Sequence, residues 1–292
     1  GNFELSTMYH VIFLEDLLDL FNIHHVFDYK QPKGLEQQIP LMINWLENMC
    51  HPDGEISFFN DASLGMAPSV MELKNYASRF GFQQSNQNQL VRGIVDLPYS
   101  GYSRVETSGA VAIIDRAAIG PDYLPGHAHA DTLSFELSLF GQRVIVNSGT
   151  SLYGVSKQRH LERSSISHAT VVIDGENSSE VWDGFRVAKR AKVSERIHSE
   201  NNGIFKVSAC HDGFKRLTGK PIHHREWVFE EQHLIVKDTI SGKGSHNIDV
   251  VFPIHPDVII KDRKNKNITL DVNGNFIKFT VGDATSIEIV AS

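Results

Sequence analysis

The sequence is poor in cysteine and has no long apolar run. Cys50 and Cys210 are its two cysteines, so a disulfide framework is excluded and two buried thiols are favoured over a single pair. No apolar run is long enough to span a bilayer. The formal net charge of −7 argues against nucleic acid as a general partner, but a local basic patch could still hold an anionic substrate.

An initiator methionine and a recognisable signal peptide are also missing. The chain opens on Gly1-Asn2-Phe3-Glu4 and its helical pattern begins almost at once, so we expect a natural N-terminal portion to be absent. The material for a core is ample. The 292 residues, 41% of them hydrophobic, suit one large domain or two ordinary ones.

Residues 1–88 show the apolar spacing of helices, in which side chains recurring at three- and four-residue steps share one face. Ser6 and Thr7 are suitable N-cap residues for the first helix, and Pro40 predicts a kink in the second. A polar linker rich in Gln and Asn is predicted at residues 83–88. The three apolar stripes are Val11, Leu14, Leu18 and Phe21, then Leu35, Ile39, Met42, Leu46 and Met49, then Val70, Leu73, Tyr76, Ala77 and Phe80.

From about residue 91 the apolar period changes to two, which is typical of strands. Turn residues separate the runs and no helices alternate with them, so an antiparallel β-sandwich is favoured over a parallel α/β barrel. The predicted strands are 110–115, 132–140, 142–147, 170–174, 204–210, 226–229, 234–239, 249–252, 268–272, 276–281 and 286–290. The predicted fold class is therefore α+β, with helices at 1–88 and a large antiparallel β-sandwich at 89–292.

The densest group of chemically capable side chains is the segment GHAHAD at residues 126–131. In an extended segment His127, His129 and Asp131 share one face, an arrangement that suits metal ligation or proton transfer. Asn147 and His168 adjoin predicted strands and could join them. Zinc favours His nitrogens with Asp or water completing a tetrahedron, and Asn147 would be a weaker oxygen ligand. A hydrogen-bonded polar core is the alternative reading of the same residues.

Two further groups are candidates for chemistry. Tyr9 and His10 fall in the first turn of the first helix, where a helix dipole or a cation could lower the pKa of a phenol enough for it to act as a base. For Tyr9 taken alone, an ordinary amphipathic residue at a helix start is the favoured reading. The second group is basic and suits carboxylates or sulfates, although a solvated charged face also explains it. Its members are Lys157, Arg159, His160, Arg163, Arg186, Lys189, Arg190 and Lys192.

Four ordered segments of the chain together resemble the heparinase II/III family of polysaccharide lyases. One resembles the family segment that places a catalytic tyrosine at a helix start in an α/α toroid, and one resembles its histidine-bearing sandwich segment. The others resemble the next strand and turn, and a later arginine-to-histidine segment. The four are Phe3-Glu4-Leu5-Ser6-Thr7-Met8-Tyr9-His10, Gly126-His127-Ala128-His129-Ala130-Asp131, Val146-Asn147-Ser148-Gly149-Thr150, and Arg163-Ser164-Ser165 through Ser167-His168-Ala169-Thr170-Val171-Val172.

The resemblance implies β-elimination at a uronic acid, with residues 1–88 as the last helices of an incomplete α/α toroid. By resemblance Tyr9 is the base or acid and His127 assists it, while His129, Asn147 and His168 occupy the positions of a structural zinc site. Further residues are expected to contact an acidic polysaccharide. They are Glu4, His10, Tyr153, Arg159, Arg163 and Arg186.

Two departures from the family pattern bear on these expectations. The family usually has Asp where this chain has Asn147, and a neutral amide weakens zinc binding unless Asp131 or water takes that place. The Asn or His that neutralises the substrate carboxylate lies upstream of the tyrosine segment, outside this chain. The fragment could therefore hold part of the site and be inactive alone.

Two other function classes stay open. One is a non-catalytic carbohydrate-binding or polysaccharide-assembly module, and the other is a metal-dependent hydrolase using His127 and His129. The missing alternation of strands and helices counts against the usual hydrolase barrel. A bacterial protein in the periplasm or outside the cell is expected, with the cytoplasm as the alternative. Long sheet edges would also allow a homodimer.

Overall fold

The computed structural model describes residues 2–82 and 92–290, where a few helices accompany many antiparallel strands in several sheets. The predicted linker at 83–88 and the predicted boundary after residue 88 lie outside the described residues. The α-helices of the described part are α1 Thr7–Val26, α2 Leu35–Asn48, α3 Val70–Ser78 and α4 Lys157–Arg163. The first three coincide with the three apolar stripes, so the helical prediction for this part is confirmed.

Local capping explains where two of these helices begin. The Ser6 side chain accepts a hydrogen bond from the Tyr9 backbone N–H, which fixes the start of α1 and places Tyr9 in its first turn. Ser69 and Glu72 form a reciprocal capping box at α3. Pro40 lies inside α2. The apolar faces of the three helices meet in one buried cluster, which includes Val11, Leu14, Leu18, Ile39, Ile43, Leu46, Leu73 and Ala77.

Two antiparallel sheets are the largest in the described part of the chain. The first has five strands in chain order and the second has four strands with β9 and β12 at its edges. The first sheet comprises β1 Gly93–Leu97, β2 Tyr102–Glu106, β3 Ala110–Asp115, β4 Phe135–Leu139 and β5 Gln142–Ile145. The second comprises β9 Val193–Asn201, β10 Ile204–His211, β11 Ile222–Phe229 and β12 Leu234–Ser241.

Three smaller antiparallel sheets complete the described strands. They pair β6 Val171–Ile173 with β13 Ile248–Val250, pair β7 Val181–Trp182 with β8 Arg186–Val187, and join β14 Ile259–Lys264, β15 Asn267–Val272 and β16 Asn275–Thr280. No helix of the described residues is long and apolar enough to cross a membrane.

The two large sheets share one apolar core. Ala112 and Phe135 of the first sheet are buried in the same cluster as Val207 and Trp227 of the second. The Phe135 and Trp227 rings are 6.1 Å apart and meet edge to face, a favourable geometry for aromatic pairs. One face of β3 and one face of β10 point into this cluster. The two-residue apolar period in the sequence predicts this arrangement.

The helical part packs directly against the five-stranded sheet. Trp45 of α2 is buried with Tyr102 of β2 and Ile113 of β3 in one cluster. The Trp45 indole N–H also donates to the Ser100 hydroxyl at 3.0 Å, so the buried donor is satisfied. Helices and sheets are therefore one packed unit around residues 45–62, and this contact brings the first turn of α1 close to the strand connections.

The structure corrects several strand predictions. Residues 286–290 form no strand, and the run 132–140 is a strand only over Phe135–Leu139 because Leu133 adopts a positive φ of 61° in the turn before it. Six strands were not predicted from the sequence. They are β1, β2, β7, β8, β9 and β14. Strands β9 and β14 are exposed over almost their whole length, so they lack the apolar alternation that identifies a half-buried strand.

Candidate active site

A single buried carboxylate, Asp61, lies at the centre of the candidate site. Its Oδ2 accepts a hydrogen bond from His127 Nδ1 at 2.8 Å, and its Oδ1 accepts one from His129 Nε2 at 2.8 Å. The Arg159 guanidinium pairs with both carboxylate oxygens, with Nη2 2.7 Å from Oδ2. Residues 126–129 are not a strand, but both imidazoles still converge on one acceptor from the helical part of the chain.

The charges of this cluster follow from its contacts. Burial alone would raise the pKa of the Asp61 carboxyl, but hydrogen bonds from His127, His129 and Arg159 outweigh burial and hold that pKa well below its usual range. Asp61 is therefore ionised and only accepts hydrogen bonds. Each imidazole must carry a proton on the nitrogen that faces Asp61. In the neutral rings this leaves a lone pair on His127 Nε2 and on His129 Nδ1.

The loop between α2 and α3 positions Asp61. Asn60 adopts a positive φ of 58°, a conformation that Asn tolerates better than most residues. The Asn60 side-chain oxygen accepts from the His129 backbone N–H at 3.1 Å, and the Asp61 N–H donates to the His127 carbonyl at 3.0 Å. The Ser6 hydroxyl donates to the Asp61 carbonyl at 2.5 Å, which ties the start of α1 to the same point.

Sequence reasoning missed Asp61, although it is the hub of the cluster. The available signal was a weak one, the polar pair Asn60-Asp61 interrupting the apolar residues Phe59 and Ala62 between two helices. Asp61 is 66 positions from His127 and 98 from Arg159, so no motif spacing links them.

Tyr9 lies beside His127 at the accessible edge of this cluster. The two ring centroids are 4.4 Å apart, and the Tyr9 hydroxyl is 2.8 Å from the Tyr153 hydroxyl. The Glu4 carboxylate lies 3.6 Å from His127 Nε2. The structure therefore brings together Tyr9, His127, Glu4 and Tyr153, four of the residues singled out from the sequence.

The phenols of this group are held in their protonated form. Burial raises the pKa of Tyr9, and the nearby carboxylates Asp61 and Glu4 raise it further, against opposing effects of the Tyr153 hydrogen bond and Arg159. Burial and the Tyr9 hydrogen bond raise the pKa of Tyr153 well above its usual range. The helix start would make Tyr9 a base only if its pKa were lowered; in the fold that pKa is raised, first by burial of the ring and then by the two nearby carboxylates.

Arg159 and Arg163 do not offer their guanidinium groups to a substrate, which corrects the expectation that they contact polysaccharide. Both side chains are 0% exposed. Arg159 is occupied by Asp61 and by the Gly184 carbonyl, to which its Nε donates at 3.0 Å. Arg163 donates to backbone carbonyls, among them that of Ala128 at 3.0 Å. Both arginines hold the walls of the site.

His10 is also a buried core residue, a position that does not favour the predicted contact with substrate. Its Nε2 donates to the Met42 carbonyl at 3.0 Å, its Nδ1 accepts from the Asn2 N–H, and its ring lies 4.4 Å from that of Trp45. Burial lowers the pKa of His10 to about 3, so the ring is neutral. Among the predicted contact residues, Arg186 has an exposed side chain, which lies over the Trp182 ring at 5.8 Å.

Two clefts of about 650 and 550 Å³ lie away from this cluster. One is lined by residues that include Asp53 and His255, and the other by residues that include Cys50 and His51. Neither cleft is lined by Tyr9 or His127. We therefore place the candidate site by its cluster of reactive side chains and not by cleft volume.

Three residues of the expected zinc set lie together in the interior. The His129 and His168 ring centroids are 5.3 Å apart, and Asn147 Oδ1 is 3.1 Å from His168 Nδ1. His129 Nδ1, His168 Nε2 and Asn147 Nδ2 are buried without a hydrogen-bond partner among the described residues. Burying such atoms unpaired costs about 1–3 kcal/mol each. Two unpaired imidazole nitrogens suit zinc, whereas the amide is a poor third ligand.

A complete metal centre of the usual kind is nevertheless not assembled. Within residues 2–82 and 92–290, no three His, Cys, Asp or Glu side chains form a group that could hold a metal ion. Asp131, the alternative ligand, is buried and its Oδ2 has no hydrogen-bond partner in the described part of the chain. Burial raises the pKa of Asp131 to about 6, against the opposing effect of His129.

Asp61→Asn tests whether the buried carboxylate holds the cluster together. The variant is expected to lower the free energy of unfolding by about 3–5 kcal/mol, because the Arg159 guanidinium loses its buried counter-charge. Urea denaturation at neutral pH measures this. Asp122→Asn is the matched control, since Asp122 pairs with Arg190 at 2.9 Å on the surface and its loss should change stability little. Equal effects of the two substitutions would contradict the central role of Asp61.

Asp131 predicts a pH dependence of stability. Its pKa is about 6 in the fold against a usual value of 3.8, so between these pH values the folded chain keeps a proton that the unfolded chain has released. Stability from this group is therefore full below pH 3.8 and is lost as the pH rises toward 6. The stability of Asp131→Asn relative to the parent should rise from pH 4 to pH 6 in urea titrations. A difference that does not vary with pH would refute this assignment.

Comparison with known proteins agrees with the architecture. The model of the heparinase II/III-like C-terminal domain matches residues 90–292. The chain is also similar to the heparan sulfate lyase HepC from Pedobacter heparinus, with 18% identity and a TM-score of 0.71 over 92% of this chain and 43% of that one.

Two solved heparinase III structures are similar as well. One, a heparinase III gene product, has 17% identity and a TM-score of 0.74 over 93% of this chain and 43% of its own. The other has 16% identity and a TM-score of 0.69 over 92% of this chain and 45% of its own. The chain thus spans less than half the length of these structures. No curated protein matches the sequence. With its sheets, its histidine segment and the domain match over 90–292, the chain belongs to the heparinase II/III-like family.

Proposed function

We propose that this chain carries the Tyr9–His127 part of a polysaccharide lyase site that cleaves a uronic-acid-containing polymer by β-elimination. The observation that carries the proposal is the pairing of a protonated phenol with an imidazole whose Nδ1 proton is held by Asp61. Membership of the heparinase II/III-like family supports the reaction class. One of the similar structures is a heparan sulfate lyase. For this chain we propose an acidic polysaccharide as the substrate class, without naming the sugar.

In the proposed reaction, His127 is the base and Tyr9 is the acid. Because Asp61 fixes the Nδ1 proton of His127, the Nε2 lone pair is available to take the proton from C5 of the uronate. The electron pair of that C–H bond forms the C4–C5 double bond, and the bond from C4 to the glycosidic oxygen breaks. Tyr9, which is protonated, donates to the departing oxygen. The Tyr153 hydroxyl, 2.8 Å away, can receive a hydrogen bond from or return one to Tyr9.

The reaction also needs a group that neutralises the substrate carboxylate, because C5–H is too weakly acidic beside a free carboxylate. Arg159 is not proposed for this role, since it is buried and paired with Asp61. We propose that the group comes from outside residues 1–292, as the family resemblance implies. The test therefore uses the intact gene product beside the 292-residue chain.

Tyr9→Phe is the decisive substitution for this proposal. Loss of a positioned proton donor typically lowers turnover by 10²–10⁴-fold, so formation of unsaturated uronate should fall by about that factor. Ultraviolet absorbance of the unsaturated product measures it on a panel of uronic-acid polymers. Tyr76→Phe on α3 is the control, since Tyr76 bonds Asp19 far along the helices and should leave turnover unchanged. Full activity of Tyr9→Phe would sink the assignment.

A non-catalytic carbohydrate-binding or assembly module is the second candidate. It is favoured by one observation, the neutral Asn147 beside His168 at a position where the family resemblance implies Asp, which fits a site that no longer needs its metal. This candidate predicts sugar binding without unsaturated product from either the chain or the intact gene product, and unchanged binding by Tyr9→Phe.

We further propose that His129 and His168 bind a structural zinc ion weakly. Their unpaired Nδ1 and Nε2 atoms would be its ligands, and the ion would brace the sheet connections next to His127. Asp61 would act as the outer partner of His129, since its Oδ1 already accepts the Nε2 proton.

Asn147→Asp should strengthen that zinc binding, because a carboxylate replaces a neutral amide beside two imidazoles. An increase in zinc affinity of about 10-fold or more is expected, on the scale of ligand effects in such sites. Competition with a chromophoric chelator measures the affinity, and metal analysis gives the stoichiometry. Asn247→Asp, at a surface position bonded to Asp174, is the control. Absence of bound zinc in both the parent and Asn147→Asp would contradict the proposed ligands.

A further inference from the structure

The hairpin of β7 and β8, residues 181–187, forms one wall beside Tyr9 and His127. The Phe185 ring lies 6.1 Å from the His127 ring and is stacked 5.9 Å from that of Tyr153, with 15° between the two planes. Phe185 is 44% exposed and Trp182 is 51% exposed. Phe185 therefore faces solvent beside His127, and Trp182 is exposed on the same hairpin.

Two buried arginines hold this hairpin by its backbone. Arg163 donates to the carbonyls of Asp183 at 3.1 Å and of Arg186 at 3.2 Å, and Arg159 donates to that of Gly184 at 3.0 Å. Because these contacts use carbonyl groups, the side chains of the hairpin are left free to face outward. A rigid backbone with free side chains is what a preorganised binding surface requires.

A close backbone approach fixes the hairpin against the loop that carries Tyr153. A Cβ on Gly184 would lie 2.8 Å from the Gly154 carbonyl oxygen, so a side chain cannot fit there. The contact brings Phe185 and Tyr153 into register as one continuous aromatic surface. The surface is therefore set by the fold and does not depend on a ligand to assemble it.

Positive charge accompanies these aromatic faces. The Arg159 guanidinium lies 5.5 Å from the Phe185 ring and 5.4 Å from the Tyr153 ring, on their buried side. On the exposed side, the Arg186 guanidinium lies over Trp182 at 5.8 Å. An aromatic face suits the apolar C–H face of a pyranose ring, and a guanidinium beside it suits a carboxylate or sulfate. Together they match an anionic sugar unit better than a neutral one.

We propose that residues 181–187 form the subsite for the anionic sugar unit next to the bond that is cleaved. Phe185 and Trp182 stack on the sugar rings, and Arg186 pairs with the carboxylate or sulfate. Arg159 and Arg163 act as positioning residues that hold the hairpin. The inference rests on the proposed lyase function, since it takes Tyr9 and His127 as the reacting end of the same groove.

The test measures equilibrium binding without turnover. The 292-residue chain carrying Tyr9→Phe is titrated calorimetrically with tetrasaccharides of heparan sulfate, which carry sulfate and carboxylate, and of alginate, which carry carboxylate alone. Trp182→Ala and Phe185→Leu should each weaken binding about 10-fold, since aromatic anchors dominate such contacts. Arg186→Ala should weaken both sugars equally if it binds carboxylate, and heparan sulfate more strongly if it binds sulfate.

Matched controls separate the subsite from general effects. Phe276→Ala removes an aromatic side chain that is 70% exposed on β16, and Lys189→Ala removes an exposed charge just beyond β8. Both should leave binding unchanged. Phe185→Leu keeps an apolar side chain at its position, and unfolding curves of all variants confirm that each is folded. Arg159→Lys should weaken binding of the same sugars, because the Gly184 carbonyl of the hairpin loses the Arg159 Nε donor that positions it.

The outcomes distinguish this inference from the proposed function. Equal affinities of the parent, Trp182→Ala and Phe185→Leu overturn the subsite, as does a parent chain that binds neither sugar. Unsaturated product formed by the intact protein in that case leaves the lyase proposal standing. Binding that depends on the hairpin, with no product from any polymer, supports sugar binding at residues 181–187 and overturns the lyase together with the placement of this site beside a cleaved bond. In an active protein, Trp182→Ala should raise KM and leave kcat largely unchanged.

Discussion

The buried charge of Asp61 is the constraint on which the rest of the site depends. An ionised carboxylate in the interior must be neutralised and fully hydrogen-bonded. Its three partners, His127, His129 and Arg159, come from the sheet connections, whereas Asp61 itself comes from the loop between α2 and α3. The contacts that join the helical part to the sheets are therefore the same contacts that build the site.

The same interaction sets the chemistry of the groups around it. By accepting a hydrogen bond from His127 Nδ1 it fixes which ring nitrogen can act as a base, and its charge adds to burial, the larger cause, in raising the pKa of the Tyr9 phenol. In the elimination proposed above, one carboxylate that contacts neither the sugar nor the breaking bond would thus decide which group is the base and which the acid. The His129 ring, whose Nε2 donates to the same carboxylate, has an Nδ1 without a partner among the described residues and lies beside the His168 ring.

Arginine has an unexpected role here. A basic run beside a site for acidic polymers suggests direct contact with substrate. However, the guanidinium groups of Arg159 and Arg163 donate their hydrogen bonds to Asp61 and to backbone carbonyls. Buried guanidinium groups suit this task because their planar fork offers five donors to several acceptors at once. Arg186, in contrast, is exposed to solvent. It lies on the hairpin that Arg159 and Arg163 hold in place.

The sequence alone determined what depends on local pattern. Apolar spacing gave α1, α2 and α3, the cap at Ser6 placed Tyr9 in a first turn, and alternation gave strands such as β3 and β10. The histidine segment and its family resemblance located His127 and His129. Tertiary structure alone decided which groups meet them, because Asp61 and Phe185 reach the site from distant loops with no spacing rule. It also decided that His10 and Arg159 are buried and that the pKa of Tyr9 rises, since burial and neighbouring charges exist only in the folded chain.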